Sequence, residues 1–154
     1  SMSLMTSLNI SASGMTAQRT RMDIIAQNVA NVNTTRDENG DPYRRQTVVF
    51  QERPIQNHNF ESYLTAQRTG LSYNPQIGSG VKIASIAEDH VTSMKKVYEP
   101  GNPDADEDGY VTYPNVNTVT EMTNLIDASR SYEANVTAFN ATKNMALKGL
   151  ELGK

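Results

Sequence analysis

The sequence predicts an α+β fold: two long terminal amphipathic helices, paired as a coiled-coil hairpin, bracket a small loop-rich β domain. Two observations predict it. Apolar residues recur every seven positions at both ends of the 154-residue chain, and no Pro interrupts either stretch. Between them lie short β-branched and aromatic runs separated by Gly, Pro, Asn and Asp. The expected division is residues 1–35 for the first helix, 36–116 for the β-rich centre and 117–154 for the last helix.

In the first helix, Leu8, Met15, Met22 and Val29 stand seven apart. Leu4, Ile25 and Val32 occupy the companion row, which Ser11 and Gln18 interrupt. The pattern predicts a helix of roughly 30 residues, about 45 Å at 1.5 Å per residue. It should stop at Asn31–Thr35, where Asn and Thr compete for backbone hydrogen bonds. In the last helix, from about Thr118 to Leu152, Met122, Val136 and Leu150 share one row with Ser129 and Lys143. Leu125, Tyr132, Phe139 and Ala146 share the companion row, flanked by Ile126 and Leu147. Thr118 with Glu121 reads as a capping box and Gly153 as a C-cap.

In the centre, Thr47–Phe50, Val81–Ala87, Lys96–Glu99 and Tyr110–Tyr113 read as strands. The stretch Ile55–Gln76 is polar and weakly periodic, with part of it expected to be mobile.

Composition excludes several functions. The net charge is −3, so nothing draws the chain to nucleic acid. There is no Cys, hence no disulfide framework, thiolate zinc site or Cys nucleophile. The two His, His58 and His90, are far apart, and no Ser/His/Asp order or Gly-rich phosphate loop occurs. The expectation is a protein that is not an enzyme, with no cofactor, metal or small-molecule substrate. No apolar run approaches the roughly 18 residues of a transmembrane helix. The N-terminal stretch has no charged leader followed by a continuous apolar run, so no cleaved secretory signal is expected. The turn Asp104–Gly109 imitates the start of a calcium loop, but Asn115 stands where a bidentate Glu is needed. It reads as a solvated acidic turn, with a calcium-dependent binding module as the alternative function. Arg44 and Arg45, with Lys82, Lys95 and Lys96, read as a solvated basic cluster.

An apolar helix stripe has to be buried somewhere, and the β insert is too small to cover both helices. The helices should therefore complete their burial against other subunits. The expected assembly interface is Leu8, Met15, Met22, Ile25 and Val29 on the first helix, with Met122, Leu125, Tyr132, Val136, Phe139 and Leu150 on the last. Ser11, Gln18, Ser129 and Lys143, polar residues within these rows, would set register and partner choice.

Ile10–Arg19, followed by Met22–Thr35 with its A-x-N-[IV]-A-N-x-x-T segment, resembles the N-terminal signature of bacterial flagellar rod and hook proteins. Gly40–Phe50, Val97–Tyr110, Pro114–Met122 and Ala128–Ala138 resemble the proximal rod members of that family. The resemblance implies a structural subunit of the basal-body rod that self-assembles helically through its terminal helices and transmits torque. It implies export by the flagellar type III apparatus without a cleaved signal, and a periplasmic place in the rod. Implied neighbours are copies of itself, the other proximal and distal rod proteins, and the adaptor at the inner-membrane ring.

Overall fold

A computed structural model describes residues 4–53 and 80–153; the stretch Ile55–Gln76, with His58, lies outside them. The elements run α1 (Leu4–Ala30), β1 (Gln46–Glu52), β2 (Val81–Glu88), β3 (Lys95–Tyr98), β4 (Tyr110–Tyr113) and α2 (Thr118–Leu152). The fold is α+β, with both terminal helices and all four strands at the predicted places. At 27 and 35 residues the helices are about 40 and 52 Å long.

The helix ends follow local side-chain chemistry. α1 stops at Ala30, directly before the Asn31–Thr35 segment predicted to end it. There Asn31 Nδ2 donates to the Gln27 carbonyl at 2.8 Å, and the Thr34 hydroxyl donates to Asn31 Oδ1 at 3.1 Å. α2 is not started by the predicted capping box. Asn117 is the N-cap, its Oδ1 accepting the Thr120 N–H at 3.0 Å, and the Glu121 carboxylate is buried elsewhere. At the other end the Gly153 N–H donates to the Gly149 carbonyl.

The strands form two separate antiparallel ribbons, β1 with β2 and β3 with β4. The first runs from Gln46 opposite Glu88 to Glu52 opposite Val81, with a bulge between Val49 and Phe50. The second runs from Lys95 opposite Tyr113 to Tyr98 opposite Tyr110, where the two tyrosine rings meet edge to face at 5.3 Å. Ribbons this narrow are marginal in isolation and need a helix behind them. α1 supplies it for β1 and β2. The Ser13 hydroxyl donates to the Ile10 carbonyl at 2.7 Å and accepts the Val81 N–H at 3.1 Å, docking the start of β2. Gly80 makes that approach possible: its φ is +120°, and a Cβ there would overlap Ser13 Oγ.

The apolar core is small. Among the described residues only Ala17, Ile25, Val111 and Ala128 are fully buried apolar side chains. Ser11, Ser13, Asn28, Asn115 and Glu121 are buried beside them. The helices run antiparallel with Gly14 against Asn135, Arg21 paired to Asp127 at 3.0 Å, and Asn28 against Glu121. Continuing this register along α1 gives Ser11, Gly14, Gln18, Arg21, Ile25 and Asn28, a repeat of three and four residues. α2 answers with Glu121, Leu125, Ala128, Tyr132, Asn135, Phe139 and Thr142. The seam between the helices is thus built largely of small and polar residues, which allow a close approach.

Candidate assembly interface

At the closed end of the hairpin a network of polar side chains joins α1, β1 and α2 to the segments that follow β2 and β4. Asn28, 1% exposed, pairs with the backbone of β1 as a neighbouring strand would. Its Oδ1 accepts the Gln46 N–H and its Nδ2 donates to the Gln46 carbonyl, both at 2.9 Å. The Tyr43 hydroxyl donates to the same Oδ1 at 2.7 Å, and the phenol's pKa is raised by burial and then by Glu121 and Glu88. Glu121, 1% exposed, accepts from Arg45 Nε and, at 3.4 Å, from Asn28 Nδ2.

Arg45 reaches on to Asp89 Oδ2 at 3.3 Å, and its backbone N–H donates to Asn115 Oδ1 at 2.7 Å. Asn115 Nδ2 donates to the carbonyls of Asp89 and Thr92 at 2.9 and 3.0 Å. Burial lowers the Arg45 pKa, but the hydrogen bonds and charges of Glu121 and Asp89 outweigh it and raise it. Asp89 is held well below the usual carboxylate range. The Thr92 N–H and hydroxyl do most of this, and the Val91 N–H and Arg45 add to it against the opposing effect of burial. Among the described residues no buried side-chain polar atom lacks a partner. A network satisfied in this way rigidifies what it joins. It fixes where α1 ends, where α2 begins and how β1 lies across them.

Arg45 corrects the expectation of a solvated basic cluster, because it is the cation of this hub. The acidic turn is also more than a solvated loop. Asp104 accepts the Thr35 hydroxyl at 2.7 Å and faces Arg36 at 3.4 Å, which ties the turn to the segment after α1. Asp106 Oδ1 accepts the N–H groups of Asp108 and Tyr110 at 3.0 and 2.8 Å. These carboxylates are directed at the chain's own donors. The hub itself was missed in the sequence. Its signals there were Asn28 beside the apolar row of the first helix and Glu121 beside Met122 in the last.

The eleven residues expected at an assembly interface fall into three groups. Ile25 is buried inside the hairpin, and Leu125, Tyr132 and Phe139 are half-buried along the seam. Leu8, Met15, Met22 and Val29 are half-buried beside it. Met122 and Leu150, 46% and 69% exposed, lie on a different face of α2 from the seam residues Glu121 and Ala128, and Val136 lies half-buried on their row. Val119, Ile126 and Leu147 continue this outer row and are at least half exposed. α2 therefore carries two seven-residue repeats, one turned to α1 and one to the surface. No described helix is long and apolar enough to cross a membrane.

Residues 8–36 match the family of flagella basal body rod proteins, and residues 107–152 match the C-terminal region of the flagellar basal body rod FlgEFG proteins. The two matches cover the two helices, which places the architecture in the class of flagellar rod proteins. Full-length relatives narrow the class. The flagellar basal-body rod protein FlgC of Bacillus subtilis is 48% identical over 152 residues, covering 96% of this chain and 97% of its own. FlgC of Borreliella burgdorferi is 42% identical over 98% of both chains. FlgC of Salmonella typhimurium is 41% identical over 99% of this chain and all of its own. The chain belongs to the FlgC family of flagellar basal-body rod proteins. It is a structural subunit of the rod and not an enzyme.

Proposed function

We propose that the chain builds the rod by packing against copies of itself and other basal-body rod proteins along the apolar rows of its two helices. The observation that carries this reading is the outer row of α2, where Val119, Met122, Ile126, Leu147 and Leu150 stand exposed at heptad spacing. An apolar stripe of this kind is stabilised only by a partner. Met122, Val136 and Leu150 make the contact from α2, and Leu8, Met15, Met22 and Val29 contribute from α1. Ile25, Leu125, Tyr132 and Phe139 act by holding the hairpin that presents them. Contacts that repeat without closing build a helical tube, and a tube of packed helices resists twisting and so transmits torque. Residues 36–116 form an outer unit that leans on α1 through β1 and β2 and is held at a fixed angle by the hub. Type III export without a cleaved signal, a periplasmic rod position, and contacts to the inner-membrane ring adaptor and the distal rod belong to the same reading. Family membership supports them, and a chain without Cys needs no oxidative folding on the way.

The experiment is substitution of the exposed positions. Met122→Asp and Leu150→Asp alter side chains that already meet water, so thermal stability of the isolated chain should move by about 0.5 kcal/mol or less. Introduced into a flagellated strain lacking its own copy of this subunit, which the unsubstituted chain restores to swimming, each should abolish motility. Normal swimming with both substitutions together would refute assembly through this row.

A further inference from the structure

Asn39–Gly40 is the only Asn–Gly pair in the sequence. It forms the tip of a tight turn between α1 and β1. The Gly40 N–H donates to the Asp37 carbonyl at 3.0 Å, and Gly40 takes a φ of +86°, which suits glycine. Asp37 clamps the rest of the turn. Its N–H donates to the Asp41 carbonyl at 2.7 Å, and its Oδ1 accepts the N–H groups of Asn39 and Asp41 at 2.8 and 3.0 Å. Both residues of the pair are exposed, and a Cβ built on Gly40 would meet nothing within 4 Å. Asn28, Asn31, Asn115 and Asn135 each hold a neighbour through the carboxamide. The Asn39 carboxamide has no hydrogen-bond partner among the described residues.

We propose that Asn39 is a site of spontaneous deamidation, kept slow in the folded chain by Asp37. The Gly40 nitrogen gives up its proton to water and attacks Asn39 Cγ. The Cγ–Nδ2 bond breaks, and Nδ2 takes up a proton and leaves as ammonia. The product is a cyclic imide joining residues 39 and 40. Water then adds across one of the two imide C–N bonds. Opening at Cγ gives aspartate, and opening at the main-chain carbonyl gives isoaspartate. Every other Asn in the chain is followed by a residue with a side chain, which crowds the attacking nitrogen. Asp108–Gly109 can close the same ring, but its carboxylate must first be protonated to lose water. The turn controls access to the nitrogen. Attack needs the Asn39–Gly40 peptide plane to rotate, which breaks the Gly40 bond to Asp37 and pulls on the two amides held by Asp37 Oδ1. Aspartate adds a negative charge beside Asp37, Glu38 and Asp41, whereas isoaspartate lengthens the main chain by one atom. The Tyr43 N–H on the Thr34 carbonyl, at 3.1 Å, closes the loop at its base and keeps either change away from the hub.

The test is incubation of the full-length protein in mildly alkaline buffer, followed by peptide mass spectrometry and enzymatic methylation of isoaspartate. Conversion should be confined to residue 39, with isoaspartate among the products, and should be slower than in the chain unfolded by guanidinium. Asp37→Ala should raise the folded rate by at least about fivefold, the worth of two hydrogen bonds, while leaving the rate of the unfolded chain unchanged. Gly40→Ala also strains the turn, since a φ of +86° disfavours a side chain, yet it should slow conversion in both states because its Cβ crowds the attacking nitrogen. A folded chain that stays unmodified while the unfolded chain converts would overturn the proposed site. Equal folded rates with and without Asp37→Ala would overturn the part assigned to Asp37.

Discussion

Arg45 and Glu121 show how much one pair of side chains carries where so few of the described residues are buried and apolar. Glu121 is almost fully buried, and its charge is tolerated because Arg45 and Asn28 satisfy it. Arg45→Ala leaves an uncompensated buried carboxylate and should cost about 3–5 kcal/mol. Joint replacement by Arg45→Met and Glu121→Leu should cost far less, because both the charge and the need for a partner go. Urea denaturation of the single and double variants measures this, and equal losses would mean that the charge is not what matters.

Asp89 predicts a pH response. Its folded pKa lies below the unfolded value of about 3.9, so its contribution is complete above about pH 4. That contribution is lost as pH falls toward the folded value. The urea midpoint should therefore drop on acidification below about pH 4, with a smaller drop in Asp89→Asn. Asp104 and Asp106 spend their carboxylates on Thr35, Arg36 and backbone amides. Millimolar calcium should accordingly leave the melting temperature unchanged, and a rise lost in Asp104→Asn would show an ion in the turn.

At the scale of elements, the hairpin depends on close approach. A Cβ at Gly14 would lie 2.7 Å from Asn135 Oδ1, while Asn135 Nδ2 is held by the Ser131 carbonyl at 2.9 Å. Gly14→Ala gains about 1 kcal/mol of helix propensity but must displace that carboxamide. The net effect should be destabilising, and Asn135→Ala in the same chain should recover the loss. A double-mutant cycle should show coupling of about 1 kcal/mol. Additive effects would mean that the helices do not meet in this register. The exposed Arg21–Asp127 pair should contribute no more than about 1 kcal/mol, since Asp127 is 67% exposed.

For the whole molecule, stability should fall with distance from the hub. Tertiary hydrogen bonds gather around Asn28, Arg45, Asn115 and Glu121, whereas α2 beyond Met145 has mostly exposed side chains. A long helix without packing is marginal in water. Amide exchange should be slowest at Asn28, Gln46 and Glu121 and quicken steadily toward Leu152, and limited proteolysis should trim the last two turns first. Uniform protection along α2 would contradict this gradient.

The sequence by itself determined the elements. Seven-residue spacing without Pro specified both helices, and β-branched runs between Gly and Pro turns placed all four strands within a residue or two, because local periodicity and turn chemistry act over short stretches of chain. Only the tertiary structure decided which face of each helix meets the other. The apolar rows put Leu8, Met15, Met22 and Val29 at an interface with other subunits and left the hairpin seam unassigned; it runs through Gly14, Arg21 and Asn28. Small and polar side chains win there because they allow close approach and find hydrogen-bond partners across the seam, and those partners come from residues up to 106 positions away. The same distance hid the hub. Arg45 looked like a surface cation and Glu121 like a capping residue until folding brought them together and removed the water from around them.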